Sequence, residues 1–265
     1  MIHEKIAIDH ARLTTYMLEN FTEIAPNRTR PVVIICPGGG YEKVSPREGE
    51  AVAIRMNSFG FHACILEYSI APNRYPTALI ELAKAVKYLR QHSTEWHVDP
   101  DKIIVAGFSA GGHLAGNLGV AWNNELLKEE VSGEATLWKP NALLLCYPVI
   151  SSGEFAHQGS FNALLGDTKE SNLKRSLSLE TQVTPATPPT FIWHTVSDAA
   201  VPVENTLLFA NALQKNNIPF ELHLFPKGEH GLSLATEETS LDSSKQNEAV
   251  SKWPELFELW VKNCL

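Results

Sequence analysis

The sequence predicts an α/β fold, a mostly parallel sheet covered by helices on both faces, and three observations carry that expectation. Short apolar runs of strand length recur along the chain, helical patterns alternate with them, and 265 residues suit a single domain of this class. Strands buried on both faces read as near-continuous apolar stretches, and VVIIC at 32–36 and ALLLCY at 142–147 read that way. With 44% apolar and 20% charged residues, the chain has enough apolar surface to bury a sizeable core.

The elements follow in order. Residues 5–19 read as one or two early strands, Ile6 and Ile8 alternating with polar neighbours, and Pro26-Asn27-Arg28 marks a turn. Buried-type strands are expected at 32–36, 63–68, 103–106, 142–147, 191–195 and 220–225. Helices are expected at 48–58, 77–95, 110–123 and 202–216, with a closing helix near 247–263. In the second of these Leu79, Leu82, Ala83, Val86 and Leu89 share one face, and Pro76 suits its first turn. Residues 124–139 are polar and acidic and break the rhythm, while 151–189, rich in Ser, Thr and Pro, is read as a small cap inserted in one domain spanning 1–265.

Chemistry enters at Gly107-Phe108-Ser109-Ala110-Gly111, which stands directly after one expected strand and directly before a helical pattern. That context fits a nucleophile elbow, a turn so tight that only glycines two before and two after the serine leave room for the crossing chain. The bland alternative is a turn serine without chemistry. An elbow implies the chain order nucleophile, acid, histidine. Five of the ten histidines follow Ser109. His113 falls within a turn of it on the helix, His157 in the cap, His194 inside a strand, and His223 in an alternating strand run where an ordinary side chain is expected. His230 remains, in a glycine-flanked loop after the last strand, where its alternative would be a solvated surface residue. Asp198 follows the strand at 191–195 by a few residues and suits the orienting acid, with a helix N-cap or turn role as its alternative; the rival Glu204 falls on the helix. The run Pro37-Gly38-Gly39-Gly40-Tyr41 offers backbone N–H groups for a developing oxyanion, alongside the N–H of Ala110.

Taken in this order, these features resemble the α/β-hydrolase superfamily over nearly the whole chain. Local phrases narrow the likeness: CPGGGY at 36–41, Tyr75-Pro76, Val98-Asp99-Pro100, GFSAGGHL at 107–114, Tyr147-Pro148, Pro188-Pro189-Thr190, the Asp198 segment and Gly228 to Gly231. They are similar to the small bacterial esterases grouped with acetyl xylan esterases and hormone-sensitive-lipase-like enzymes. The resemblance implies a triad of Ser109, Asp198 and His230, an oxyanion hole from the amides of Gly39, Gly40 and Ala110, and acetyl esters of carbohydrates as substrates. Pro37 stands where the lipase-like branch has histidine in His-Gly-Gly-Gly, which favours the acetyl-esterase branch. Tyr41, directly after the glycines, is expected to contact the substrate at the acyl pocket.

The remaining expectations are exclusions. Twenty-two Lys and Arg against thirty Asp and Glu give a net charge of −8, which lacks the basic footprint that nucleic acid or an anionic membrane requires. Glu4 and Asp9 interrupt the start where a signal peptide would be apolar, so a cytoplasmic protein is expected, and Cys36, Cys64 and Cys146 read as free buried thiols. No metal or organic cofactor is expected: no His/Cys/carboxylate cluster has ligand spacing, and the glycine run lacks the Lys-Ser/Thr of a phosphate cradle. The rivals are a peptidase on the same scaffold, which would resemble enzymes with a large extra domain, and a catalytically inactive hydrolase fold used as a binding module.

Overall fold

The computed structural model describes residues 1–166 and 171–265. Its centre is one sheet of eight strands: β1 (Lys5–Ile8), β2 (Ala11–Tyr16), β3 (Arg30–Cys36), β4 (His62–Glu67), β5 (Val98–Phe108), β6 (Ala142–Cys146), β7 (Thr190–Thr195) and β8 (Phe220–Phe225). The spatial order is β1-β2-β4-β3-β5-β6-β7-β8. The first two strands run antiparallel, and every pairing from β4 to β8 is parallel.

Alternation along the strands sorts the core into two layers, because successive side chains point to opposite faces. Val32, Ile34, Cys64, Leu66, Ile103, Val105, Leu143 and Leu145 bury against α2 (Thr77–Gln91), α3 (Ala110–Ala121) and α7 (Glu204–Lys215). Val33, Ile35, Ala63, Ile65, Ile104, Ala106, Leu144 and Trp193 bury against α1 (Glu50–Ser58) and α8 (Trp253–Cys264). Helices thus cover both faces, as the apolar runs predict. Cys36, Cys64 and Cys146 are buried free thiols.

Boundaries differ where side chains cap or where pairing overrides a breaker. Strand β5 begins at Val98 and runs through Pro100, because Val98 pairs with Arg30 across a register shift and the ladder resumes at Ile103. Helix α2 stops at Gln91, where the His92 side chain turns back, its Nδ1 donating to Tyr88 O at 2.8 Å and its ring stacking on that of Tyr88. The last helix starts at Trp253 rather than near 247, since Asn247 Oδ1 accepts from Ala249 N and Val250 N and closes a separate turn first. Within the polar stretch 124–139 lies a short helix, α4 (Glu125–Glu130), capped by Asn124 accepting from Leu127 N and pinned by buried Leu127. The expected cap carries α5 (Gln158–Leu165) and α6 (Ser171–Ser176); residues 167–170 of it lie outside the described residues. Phe161, Ala163 and Leu164 of α5 face the core. No helix among the described residues is long and apolar enough to cross a membrane.

Candidate active site

Ser109 sits between the end of β5 and the start of α3 with φ 54° and ψ −118°, a region that side chains with a Cβ rarely occupy. The surroundings over-determine that conformation. Ser109 N donates to Cys146 O at 3.0 Å, and Ser109 O accepts from His113 N at 3.1 Å and from Val149 N at 3.0 Å. A Cβ on Gly107 would lie 2.1 Å from Gly111 O, and one on Gly111 would lie 2.0 Å from Cys36 O. Both glycines are therefore required by backbone packed on backbone.

His230 comes from the loop after β8, and its Nε2 lies 2.7 Å from Ser109 Oγ. Its Nδ1 lies 2.7 Å from Asp198 Oδ2, in the loop after β7. The structure therefore brings together the three side chains that the elbow and the order rule single out. Ser109 and Asp198 are buried, whereas the His230 side chain keeps 23% of its surface exposed, so the relay opens to solvent at the imidazole.

Asp198 is prepared for a charge. Burial on its own would raise its pKa, but bonds from His194, His230 and the Val201 amide, together with the charge of His230, hold it well below the usual carboxylate range. Its Oδ1 accepts from the amides of Ala200 and Val201, each at 2.9 Å. His194 reads from the sequence as a strand residue, yet its Nε2 lies 3.3 Å from Asp198 Oδ2 and donates to Val201 O at 3.0 Å, while Thr206 Oγ1 lies 2.8 Å from Nδ1. His194 thus buttresses the acid from beneath. Its place four residues before Asp198 is the one signal that could have found it.

The glycine run forms a tight turn beside the serine. Gly39 (φ 129°) and Gly40 (φ 69°) adopt conformations that favour glycine, and Gly39 O accepts from Glu42 N and Lys43 N. The amides of Gly39, Gly40 and Ala110 donate to no acceptor among the described residues, whereas Gly38 N–H is spent on Glu48 at 2.6 Å. The expectation for Tyr41 needs correction: its side chain is 2% exposed and turns into the core, its hydroxyl 3.0 Å from His113 Nδ1 and its ring against Tyr68. What Tyr41 gives the site is an anchor for the glycine turn. His113 Nε2 in turn donates to Leu177 O at 2.9 Å, and burial pushes this histidine down to about 4.

Two more groups, His157 and Glu48, border the site. His157 precedes α5, where its Nδ1 accepts from Ser160 N at 3.2 Å and pairs with Ser160 Oγ at 2.8 Å; burial first, then the charge of His230, pushes its pKa down. A Cβ on Gly40 would stand 3.9 Å from Ser160 Oγ, so the start of α5 flanks the glycine turn. Glu48 is 3% exposed, and burial raises its pKa against the opposing bonds from Tyr147 and Gly38. Tyr147 stands edge-on to the His230 ring with centroids 5.1 Å apart.

Comparison with known proteins agrees with this architecture. The BD-FAE family model matches residues 21–213. The chain is 37% identical over 219 residues to "Endo-1,4-beta-xylanase B" of Butyrivibrio fibrisolvens, covering 79% of this chain and 33% of that protein. It is 26% identical over 216 residues to "Acetylxylan esterase" of Xylanibacter ruminicola, covering 79% and 42%. The chain thus spans less than half the length of these two relatives. Among solved structures, the acetyl ester-xyloside bifunctional hydrolase of Caldicellulosiruptor lactoaceticus is 40% identical with a TM-score of 0.82, over 95% of this chain and 87% of that one. The carboxylesterase Cest-2923 of Lactobacillus plantarum is 31% identical with a TM-score of 0.87, over 99% and 97%.

Proposed function

The chain belongs to the BD-FAE family and has the α/β-hydrolase fold, and from that premise we propose that it is a serine carboxylesterase removing short acyl groups, acetyl above all, from sugars or short oligosaccharides. The observation that carries the reading is the relay of 2.7 Å contacts from Ser109 through His230 to Asp198. In the reaction, Ser109 Oγ attacks the ester carbonyl while His230 Nε2 takes its proton. Asp198 holds Nδ1–H and stabilises the imidazolium. The amides of Gly39, Gly40 and Ala110 receive the oxyanion of the tetrahedral intermediate, and His230 then protonates the departing alcohol. Water, deprotonated by the same histidine, releases the acid from the acyl-enzyme and restores Ser109.

The acyl preference has its own support. Phe161, Ala163 and Leu164, the apolar residues that a lid over long acyl tails would need, pack into the core instead. Each extra methylene is worth about 0.8 kcal/mol only where apolar surface buries it. The sugar side follows the names of the relatives that act on acetylated xylan or xylosides.

Ser109→Ala should leave a folded protein whose ester turnover is lower by about three orders of magnitude or more. A p-nitrophenyl series from acetate to decanoate, run beside acetylated xylo-oligosaccharides, should peak at acetate or propionate. A Ser109→Ala protein keeping more than about a tenth of wild-type turnover would remove serine from the mechanism, and a maximum at octanoate would reveal an apolar channel.

A further inference from the structure

We propose that Glu48 is the positioning residue of the oxyanion turn, a buried carboxylate that holds the glycine loop and the histidine loop in one register; the proposal rests on the serine-esterase reading above. Glu48 ends the turn Pro46–Glu48 and is 3% exposed. A carboxylate is costly to bury, so one with no role in the chemistry needs a reason to be there. Its two oxygens point to that reason. Oε2 accepts from Gly38 N–H at 2.6 Å and Oε1 accepts from Tyr147 O–H at 2.7 Å.

The first bond fixes the oxyanion donors. Gly38 is packed so closely that a Cβ on it would stand 2.9 Å from Ser109 Cβ, 2.9 Å from Glu48 Oε2 and 2.8 Å from Phe108 O. With its N–H on Glu48 and its carbonyl accepting from Ser45 N at 2.9 Å, Gly38 is tied at both ends. Gly39 and Gly40 follow at once, so the direction of their free amides is set by how Gly38 is held. Without the carboxylate, Gly38 N–H becomes a buried donor in search of an acceptor, and the turn shifts to find one.

The second bond reaches the base. The Tyr147 oxygen accepts from Ser233 N–H at 2.9 Å, three residues after His230, and the Tyr147 ring stands against the imidazole. Beside it, Ser233 Oγ donates to Arg47 O at 2.8 Å and Arg47 Nη1 donates to Gly231 O at 2.6 Å. One three-residue turn therefore sets the oxyanion donors and the histidine loop relative to each other. The ionised form suits this place, because Gly38 N–H and Tyr147 O–H both donate into it; glutamine has one acceptor oxygen and would set an NH₂ against one of these donors.

Glu48→Gln tests the assignment with three readouts: thermal unfolding, the separate values of kcat and KM for an acetyl ester, and affinity for a trifluoromethyl ketone. That inhibitor adds to Ser109 Oγ, the serine proton passes to His230, and the ketone oxygen becomes an oxyanion held by the turn. The Gln protein should stay folded with KM within twofold of wild type, kcat lower by tenfold or more, and inhibitor affinity lower by a similar factor. A folded Gln protein with wild-type kcat, or with lower kcat and undiminished inhibitor affinity, overturns the assignment. Should the Gln protein fail to fold, Tyr147→Phe removes one arm only; lower kcat and inhibitor affinity at unchanged KM support the proposal, and wild-type values of both overturn it. A wild-type protein that takes no organophosphate label on Ser109 sinks the esterase reading itself, whereas a labelled wild type beside an unaffected Glu48→Gln protein sinks this inference alone.

Discussion

Ser109 and His230, the proposed nucleophile and base, are held by different means. Around Ser109 the chain is closed by backbone against backbone: a Cβ on Gly111 would stand 2.0 Å from Cys36 O and 2.5 Å from Pro37 O, and one on Gly112 would stand 2.7 Å from Pro148 Cβ. Around His230 the chain is tied by side chains arriving from far along the sequence. Lys245 Nζ donates to His230 O at 2.7 Å, Arg47 Nη1 to Gly231 O at 2.6 Å, and Thr195 Oγ1 to Gly228 O at 3.0 Å. The first arrangement leaves no room for a Cβ at Gly111 or Gly112. The second shares its load over several bonds, each worth about 0.5–1.5 kcal/mol or somewhat more when charged. Substitutions on the serine side should therefore fail abruptly and those on the histidine side by degrees.

The sharpest break of that comparison is Gly111→Ala. The added methyl meets carbonyl oxygens of β3 and the glycine run, which cannot step aside as the end of a flexible side chain could. We expect a loss above about 4–5 kcal/mol, the exceptional range for one substitution, seen as failure to give a cooperative thermal transition. A folded, active Gly111→Ala protein would show that the crossing can open and that the serine side is not closed by packing.

This difference also explains what the sequence made legible. The elbow's demands fall on neighbours, Gly107 and Gly111 within two residues of Ser109, so they appear as a local pattern. The two-layer core is legible for the same reason, since Ile34 and Ile35 face opposite helices by the period of a strand. His230 and Asp198 were reachable through chain order, but their supports were not. His194 reads as one more strand residue until Asp198 folds back on it, and Glu48 reads as a helix-start acid, although Tyr147 finds it 99 residues away. Tyr41 reads as a substrate contact from its place after the glycines, but that place says where its backbone goes and nothing of its side chain, which His113 claims.

A smaller effect, on stability against pH, separates the side chains that prop the serine side. His113 binds Tyr41 and Leu177 from within α3, and burial pushes its pKa down to about 4. In the unfolded chain a histidine titrates near 6.5. Between these values the unfolded state takes up a proton that the folded state refuses, so stability is full above about pH 6.5 and falls towards pH 4, by up to about 3 kcal/mol for this group. His62, also pushed down by burial to about 4, acts in the same window, while Glu48 and Glu81, raised by burial, act with the opposite sign. His113→Asn should therefore be less stable at pH 7.5 yet show a shallower decline in urea midpoint down to pH 4.5. Parallel wild-type and variant curves would mean that His113 is charged in the fold.

The smallest effect belongs to the histidine side, and Arg47→Ala measures it. Arg47 is exposed, and its side chain supplies a single bond to the His230 loop, through Gly231 O. Solvent competes for that guanidinium, so its removal should cost about 1 kcal/mol or less. The loop keeps its other ties: Lys245 on His230 O, Tyr147 on Ser233 N, and Asn247 Nδ2 on Lys227 O at 2.9 Å. His230 then stays within reach of Ser109 for most of the time, and kcat for an acetyl ester should fall about two- to fivefold, the equivalent of that energy, with KM unchanged. Adding Lys245→Ala should lower kcat by more than the product of the two single effects, because the two ties hold adjacent carbonyls of one loop and share its load. A fall of a hundredfold or more from Arg47→Ala alone would mean that the loop hangs from one bond, and the histidine side would then be as brittle as the elbow.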